Sequence, residues 1–338
     1  MNRSTTALAG ILLVLLSSFG VAQEGDAKLA YKLADGPHAV ETVEEITLHD
    51  AKRNKDLPIK IYYPKSAGAF PVIVFSHGAG ASKDNYGLLG KYWASHGYVV
   101  IHPTHADSIA LRRKQGETGD TAELLRTMTT SSEGWLNRPR DVSFVLDSFA
   151  EIERAAPALK GKLDAKRIGV GGHSYGAYTS QLIGGVTITL PGETKPQSLA
   201  DDRARCVLIL SGQGRNQQGL GEHSWDTLKR PMLNVTGSLD RGAGGQGPDW
   251  KREPYNFSPP GDKYQLFIEG AVHGLGGLAG AQASVNAATN NAAHRDYVKT
   301  ASLAFWDAYL KQDKTAQAWL KSDQLERFGK GTVTFSKK

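Results

Sequence analysis

A serine between two glycines is the clearest candidate for chemistry in the chain. The stretch Gly172-His173-Ser174-Tyr175-Gly176 follows a short apolar run and precedes a segment with helical spacing. Gly-x-Ser-x-Gly between a strand and a helix is typical of a sharp, strained turn that exposes a nucleophilic serine at the edge of a sheet. Glycines are needed because side chains two residues before and after the serine would collide. Backbone N–H groups at the start of the next helix favour a developing negative charge.

Two other functional motifs also place a glycine-rich loop between a strand and a helix, and they are alternative interpretations of this stretch. A dinucleotide-binding loop requires Gly-x-Gly-x-x-Gly and an acid about 20 residues later. Counted from Gly169, Gly171 fits, but the third place is Ser174 and no acid ends a following strand. A phosphate-binding loop requires Gly-Lys-Ser/Thr, which this stretch lacks. A tight turn with an incidental serine remains open until partners for the serine are found.

The serine needs a base, because a hydroxyl is a poor nucleophile at neutral pH. Three histidines follow Ser174 in the chain: His223, His273 and His294. Only His273 lies in a glycine-rich loop directly after a predicted strand, which places it at the same edge of the sheet as the serine. We therefore predict His273 as the general base.

The base needs a carboxylate to orient it. Asp240 lies just past the end of a predicted strand, and Asp249, further along the same loop, is a weaker candidate. Asp201 and Asp202 precede a strand and fall on the opposite edge. The strand that follows them ends in Ser211 with no acid nearby. We predict Asp240 as the third member of a Ser-His-Asp triad.

An acyl-transfer site also needs two backbone donors for an oxyanion. One is the N–H of Tyr175, which follows the nucleophile. The sequence His-Gly-Ala-Gly after the strand at 71–76 supplies the second, which we assign to Ala79, because its glycines allow a close approach of backbone to substrate. We expect His77 to hold this loop and not to act as a second base.

A cluster of polar side chains, His102, His105 and Asp107, ends another predicted strand at this edge. It resembles a fragment of a metal site, but metals need three or four ligands, usually from more than one segment, and no second cluster is evident. We expect these residues to line the pocket, with no metal and no cofactor. The candidate substrate-contacting residues are His77, Gly78, His105 and His173.

The elements that carry these residues follow a strand–helix alternation. Continuous apolar runs predict strands at 71–76, 97–103, 166–172, 204–211, 230–237 and 263–270, after a strand pair near the start. Segments between them predict helices at 83–96, 138–153, 175–184 and 295–311. This pattern is typical of an α/β fold whose mostly parallel sheet, of about eight strands, is covered by helices on both faces. Two long stretches, 104–136 and 237–262, follow predicted strands and should lie at the ligand-binding edge.

Composition places the chain among ordinary globular proteins. Its 338 residues are 40% hydrophobic and 22% charged, with a net charge of +6 that is spread along the chain, so no nucleic-acid partner is expected. The one cysteine, Cys206, lies in an apolar run and permits no intramolecular disulfide.

The N-terminus carries its own signal. Arg3 precedes an apolar stretch at 7–16 and small residues before Ala22, a pattern typical of a secretory signal peptide at 1–22. The apolar stretch is short for a spanning helix. We predict a secreted or periplasmic protein with no membrane span after cleavage, and one catalytic domain at 23–338 with a lid-like insertion at 104–136.

These motifs resemble the α/β-hydrolase superfamily, in particular its dienelactone-hydrolase-related branch with the platelet-activating-factor acetylhydrolases, chlorophyllase-like enzymes and polyester hydrolases. The matching stretches include YYPKSAGAFPVIVFSHGAGAS, RPRDVSFVLD, RIGVGGHSYGA and VTGSLD. Dienelactone hydrolase itself uses a cysteine where this chain has Ser174. In the acetylhydrolases the acid follows the strand after the nucleophile helix, where this chain has Ser211.

The resemblance and the residues together predict a serine esterase that cleaves short to medium acyl esters, with a small-molecule or lipid-like ester as substrate. A lipase or polyester hydrolase acting on insoluble esters is the alternative, and exposed aromatics at Tyr86, Trp135 or Trp250 would favour it. A hydrolase-fold protein that binds a ligand without catalysis is a further alternative, which the complete triad disfavours. The sequence does not predict the oligomeric state.

Overall fold

The computed structural model describes residues 29–280 and 290–338. The predicted signal peptide at 1–22 lies outside these residues. Among the helices of the described ranges, none is both long enough and apolar enough to cross a membrane.

A nine-stranded sheet forms the centre of the described part of the chain, with the strand order β1-β2-β4-β3-β5-β8-β9-β10-β11. Two short strands, β6 and β7, pair separately as a hairpin. The strands are β1 (Val40–Asp50), β2 (Lys55–Pro64), β3 (Phe70–Ser76), β4 (Val99–Pro103), β5 (Leu163–His173), β6 (Thr187–Ile188), β7 (Gln197–Ser198), β8 (Ala204–Leu210), β9 (Met232–Leu239), β10 (Lys263–Val272) and β11 (Val333–Lys337).

Helices connect most of these strands. They are α1 (Gly87–Ser95), α2 (Ile109–Lys114), α3 (Thr121–Thr130), α4 (Ser132–Asp147), α5 (Phe149–Ala155), α6 (Tyr175–Gly184), α7 (Pro248–Phe257), α8 (Ala292–Leu310), α9 (Lys314–Lys321) and α10 (Gln324–Gly329), with a 3-10 turn at Pro157–Leu159.

Six neighbouring strands, from β4 to β10, run parallel, and antiparallel strands flank them on both sides. Parallel strands bring their carboxyl ends to one edge of a sheet. Here the ends of β3, β5, β8, β9 and β10 are Ser76, His173, Leu210, Leu239 and Val272. Each of the predicted catalytic and oxyanion-hole residues follows one of these ends.

Apolar side chains fill the space on both faces of the sheet. Helices α1 and α8 cover one face, where the rings of Trp93 and Trp306 meet edge to face at 5.9 Å. Helices α4 and α6 cover the other face through residues such as Val142 and Tyr178. Gly169 of β5 lies directly under the Trp306 ring of α8, and a Cβ on Gly169 would come within 2.6 Å of that ring. The glycine is thus explained by helix–sheet packing.

The architecture confirms the predicted α/β-hydrolase fold with a mostly parallel sheet, and it corrects three details. The sheet has nine strands instead of about eight, because the C-terminal β11 pairs with β10. The helix predicted at 138–153 begins at Ser132, capped by the Ser131 hydroxyl, and Pro139 lies inside it. The glycine- and proline-rich stretch 237–262 contains α7, which buries two residues against the sheet.

Candidate active site

The turn between β5 and α6 holds Ser174 in a strained conformation, with φ 55° and ψ −116°. A Cβ on Gly172 would lie 2.3 Å from the carbonyl carbon of Gly176, and a Cβ on Gly176 would lie 2.0 Å from the carbonyl oxygen of Ser76. Such distances exclude any side chain at either position. The glycine spacing of the motif therefore follows from the tightness of this turn.

The structure brings Ser174, His273 and Asp240 into one hydrogen-bonded line. His273 Nε2 lies 2.9 Å from Ser174 Oγ, and His273 Nδ1 lies 2.9 Å from Asp240 Oδ1. The His273 side chain is 42% exposed, whereas the Asp240 side chain is fully buried. This arrangement can deprotonate the serine and stabilise the cation that forms on the histidine.

The competing candidates lie elsewhere. His223 is exposed and pairs with Asp226 at 3.1 Å. His294 contacts Asn291 at the start of α8. Asp249 is exposed in the first turn of α7 beside Arg252. None of the hydrogen bonds of the described residues joins these three candidates to Ser174.

Asp240 is held as a carboxylate by its surroundings. Its Oδ2 accepts a hydrogen bond of 2.8 Å from the Thr236 hydroxyl. Burial alone would raise the pKa of this carboxyl, but the hydrogen bond with His273 and the charge of Lys251 outweigh burial and lower the pKa to about 2. The group is therefore ionised at neutral pH, as an orienting carboxylate must be.

Ser211 is a second partner of the histidine that the sequence did not predict. Its Oγ lies 2.8 Å from His273 Nδ1, and its backbone φ of 53° turns the chain sharply at the end of β8. The Ser211 carbonyl oxygen accepts a hydrogen bond of 3.1 Å from Lys251 Nζ. Burial lowers the pKa of Lys251 to about 8, although the charge of Asp240 opposes the shift. The one signal for this contact in the sequence was that Ser211 occupies the position at which the acetylhydrolases carry their acid.

His173 contacts the backbone of His273. Its Nδ1 lies 2.9 Å from the Tyr86 hydroxyl, and its Nε2 lies 2.7 Å from the carbonyl oxygen of His273. Burial lowers the pKa of His173 to about 3, so the ring is neutral. The Tyr86 hydroxyl also accepts from the N–H of Gly78 at 3.3 Å. Tyr86 and His173 thus connect the loop that carries His273 with the loop that follows β3.

The loop after β3 lies directly against Ser174. A Cβ on Gly78 would come within 3.6 Å of Ser174 Cβ. Among the described residues, no acceptor takes a hydrogen bond from the N–H of Ala79 or from the N–H of Tyr175. Neither N–H is engaged elsewhere in the described residues, and the assignment of Ala79 and Tyr175 as oxyanion donors stays a prediction.

A buried ion pair lies under this loop. Arg138 of α4 donates to both carboxylate oxygens of Asp107, at 2.9 and 2.6 Å, and the two side chains are 2% and 5% exposed. The Arg138 guanidinium also donates to the carbonyl oxygens of His77 at 2.5 Å and of Gly78 at 3.3 Å. Sequence reasoning missed Arg138, although a charge at helical spacing from Val142 and Val145 was a visible signal.

The prediction that His77 and His105 contact substrate disagrees with their burial. His77 is 1% exposed, and so is His105. His105 lies between Asp141 Oδ2 at 2.8 Å and Ser76 Oγ at 3.1 Å, and its backbone N–H donates to His77 Nε2 at 3.0 Å. Burial lowers the pKa of His105 to about 4. Both rings are neutral parts of the protein interior that fix the loop.

The three residues that resemble a fragment of a metal site each bond to a different partner. His102 Nδ1 lies 3.2 Å from the carbonyl oxygen of Asn85, His105 pairs with Asp141, and Asp107 pairs with Arg138. In residues 29–280 and 290–338, no group of three or more histidine, cysteine, aspartate or glutamate side chains could hold a metal ion.

The 104–136 stretch packs against the loop after β3. A Cβ on Gly80 would come within 2.8 Å of Leu125 and 3.2 Å of Ile109, which belong to α3 and α2. The carbonyl oxygen of Thr129 accepts from Trp135 Nε1 at 2.8 Å and from Gln218 Nε2 at 3.0 Å. The stretch therefore forms a wall at the edge of the sheet that carries the serine.

The aromatics that would favour an insoluble substrate are mostly inside the protein. Tyr86 is 2% exposed and Trp135 is 8% exposed. Trp250 is half-buried, and its Nε1 donates to the carbonyl oxygen of Arg215 at 2.8 Å. Tyr86 and Trp135 therefore do not provide the exposed aromatic surface that would favour a lipase or polyester hydrolase.

Comparison with known proteins gives a consistent set of relatives. The family model described as chlorophyllase matches residues 30–184. Platelet-activating factor acetylhydrolase of Cavia porcellus is 26% identical over 300 residues, which is 78% of this chain and 63% of that protein. Cutinase 2 of Thermobifida cellulosilytica is 27% identical over 214 residues, or 63% of this chain and 64% of that protein.

A shorter match is closer in sequence. Chlorophyllase type 0 of Chenopodium album is 46% identical over 46 residues, which is 14% of this chain and 13% of that protein. The chain thus spans less than two thirds of the length of these relatives. Similarity to an acetylhydrolase, a cutinase and a chlorophyllase supports the predicted class of carboxylic ester hydrolases.

Proposed function

We propose that this chain, whose fold and sequence resemble the α/β-hydrolases, is an exported serine hydrolase that cleaves carboxylic ester bonds of short to medium acyl esters. The observation that carries this proposal is the hydrogen-bonded line from Ser174 through His273 to Asp240, with 2.9 Å at each step.

The proposed reaction has two halves. Ser174 Oγ attacks the ester carbonyl while its proton passes to His273 Nε2, and the N–H groups of Ala79 and Tyr175 bind the oxyanion. The tetrahedral intermediate collapses, the C–O bond to the alcohol breaks, and His273 protonates the leaving alcohol. A water molecule, deprotonated by His273, then attacks the acyl-enzyme, which releases the carboxylic acid and returns the proton to Ser174.

The preference for short to medium acyl groups is supported by the wall that 104–136 forms. Leu125 and Ile109 pack against Gly80, next to one of the proposed oxyanion donors. We propose that this stretch is the lid-like insertion of a single catalytic domain at 23–338 and that it limits the room for the substrate beside Ser174.

The proposal is tested with p-nitrophenyl esters from acetyl to palmitoyl. The wild-type mature protein should prefer the shorter acyl groups, and Ser174→Ala should lower kcat by 10³-fold or more. His273→Ala should do the same, whereas His223→Ala, which removes the exposed histidine of another His-Asp pair, should keep wild-type activity. Equal activity of Ser174→Ala and wild type would show that the serine is not the nucleophile.

A polymeric or insoluble ester is the second candidate, favoured by the similarity to cutinases. A rate that rises towards palmitoyl, and rises further above the solubility limit of the ester, would decide for it. Export is tested separately by the mass of the protein recovered outside the cytoplasm, which should correspond to an N-terminus at Gln23.

A further inference from the structure

We propose that Arg138 is a positioning residue that sets the direction of the Ala79 N–H in the oxyanion hole. The inference deepens the proposed function and rests on it. It concerns a side chain that does not touch the reacting atoms and acts through the peptide group between Gly78 and Ala79.

The Gly78 carbonyl oxygen receives two donors from the buried side. Arg138 Nη2 lies 3.3 Å from this oxygen, and His77 Nδ1 lies 2.7 Å from it. The His105 backbone N–H donates to His77 Nε2, so the ring proton of neutral His77 is on Nδ1 and points at the same oxygen. Two hydrogen bonds therefore fix the orientation of this carbonyl.

The carbonyl and the next N–H belong to one rigid group. In a trans peptide the C=O and the following N–H point in opposite directions, and no cis peptide occurs in the described residues. Because Arg138 draws the Gly78 oxygen towards the interior, the Ala79 N–H points away from the interior. A Cβ on Gly78 would lie 3.6 Å from Ser174 Cβ, so the nucleophile is adjacent to this peptide group.

Arg138 also touches the residue that supplies the other donor. Its guanidinium carbon lies 4.4 Å from the centre of the Tyr175 ring, and Tyr175 is 2% exposed. Asp107 completes the assembly, since its Oδ2 accepts from Arg138 and from the N–H of Gly80 at 3.1 Å. One buried cation therefore contacts both segments of the oxyanion hole, and its planar fork allows bonds to a carboxylate and to two carbonyls at once.

The direct test removes the ion pair as a unit. Loss of Arg138 alone would leave Asp107 buried without its counter-ion and could unfold the protein, whereas neutral replacement of both partners is usually tolerated. The variant is therefore Arg138→Met with Asp107→Asn, which keeps an oxygen acceptor for the Gly80 N–H. The matched control is Lys311→Met with Asp307→Asn, a pair at 2.8 Å in which Asp307 is fully buried and also accepts from Tyr31 and Tyr98, while Lys311 is 28% exposed.

The expected result is a loss of kcat without a matching change in KM. Loss of one oxyanion donor costs 10²- to 10³-fold in kcat, so the Arg138 variant should lose about 10²-fold while KM changes by less than about threefold. The inhibition constant of phenylboronic acid, whose adduct with Ser174 places an oxygen in the hole, should rise to a similar extent. The control variant should keep wild-type kcat and wild-type inhibition.

Three outcomes would overturn the proposal: a kcat within about threefold of wild type, a loss confined to KM, or unchanged inhibition by the boronic acid. If the double variant does not fold, Arg138→Lys decides, because it keeps the charge but lacks the fork. We expect a tenfold or larger loss of kcat for Arg138→Lys, and an unchanged kcat would refute the inference. Failure of the proposed function is distinct from these results, since the wild-type protein would then not hydrolyse esters.

Discussion

The two halves of the site are built differently. The half that is proposed to bind the oxyanion is fixed by Arg138 and Asp107, which are both buried and bonded to each other at two points. The half that is proposed to move the proton ends in His273, whose side chain is 42% exposed. The buried cation of this second half is Lys251, which donates to the backbone carbonyl of Ser211 and has a pKa lowered to about 8.

The difference follows from what each half must do. Backbone donors stabilise a developing charge only if they are oriented in advance, which a rigid interior with matched charges provides. A general base must exchange its proton with alcohol and water, so it lies at the surface and is oriented from one side. The contrast suggests that substitutions in the first half act through geometry and that those in the second half act through charge.

The largest effect expected in the proton-transfer half comes from Asp240→Asn. An amide can offer an N–H to His273 Nδ1 and so favour the wrong tautomer, which lowers kcat by about 10⁴-fold in a site of this type. Ser211→Ala removes only a neutral hydroxyl from the same nitrogen, and we expect a loss of less than tenfold. Both are measured as kcat on p-nitrophenyl acetate, with the fold checked by circular dichroism. A larger loss for Ser211→Ala than for Asp240→Asn would contradict the assignment of the acid.

A medium effect concerns the stability of Lys251→Met as a function of pH. The pKa of Lys251 is about 8 in the folded protein and 10.5 in the reference state, so the unfolded chain binds more protons between these values. This group therefore destabilises the fold at and below pH 8, and the destabilisation is relieved as the pH rises towards 10.5.

Methionine carries no proton, so the variant lacks this pH dependence. The free energy of unfolding of the variant minus that of the wild type should fall by roughly 3 kcal/mol between pH 7 and pH 10.5. Urea denaturation of both proteins at matched pH values measures the difference, and groups common to both cancel. If the free energy of unfolding of the variant minus that of the wild type does not change with pH, the idea that substitutions in the proton-transfer half act through charge is wrong.

The smallest effect tests the strain at the point where the halves meet. Glycine adopts the φ of 55° found at Ser174 without steric cost, whereas a serine there costs about 1 to 3 kcal/mol. Ser174→Gly should abolish hydrolysis and raise the free energy of unfolding by about 1 kcal/mol. Ser131→Gly is the control, because Ser131 has an ordinary φ of −78° and caps α4, so its loss should slightly destabilise the protein. A destabilised Ser174→Gly protein would indicate that the turn stores no strain.

Part of this site could be predicted because it depends on short spacings. The glycines around Ser174 follow from the tightness of one turn, and Asp240 and His273 were found because parallel strands bring their ends to one edge. The contact between Ser211 and His273 could not be predicted in this way. It joins residues 62 positions apart and depends on the path of two different loops.

The surroundings of the histidines were the least predictable part. His77 and His105 occur in motifs that end strands at the active edge, and nothing in their spacing distinguishes an exposed ring from a buried one. Burial came from α4, which carries Arg138 and Asp141 over these rings. The predicted start of this helix at residue 138 was also wrong, since the helix begins at Ser132 and Pro139, a residue type common in a first turn, lies inside it.

The sequence by itself determined the alternation of the central strands with helices, the turn at Ser174 and the edge at which the chemistry would occur, since each depends on local periodicity or on residues a few positions apart. Only the tertiary structure decided which charged and neutral side chains fix the loops at that edge. Arg138, Asp107 and Lys251 are ordinary surface residue types in a sequence, and they become part of the site because distant segments bury them together.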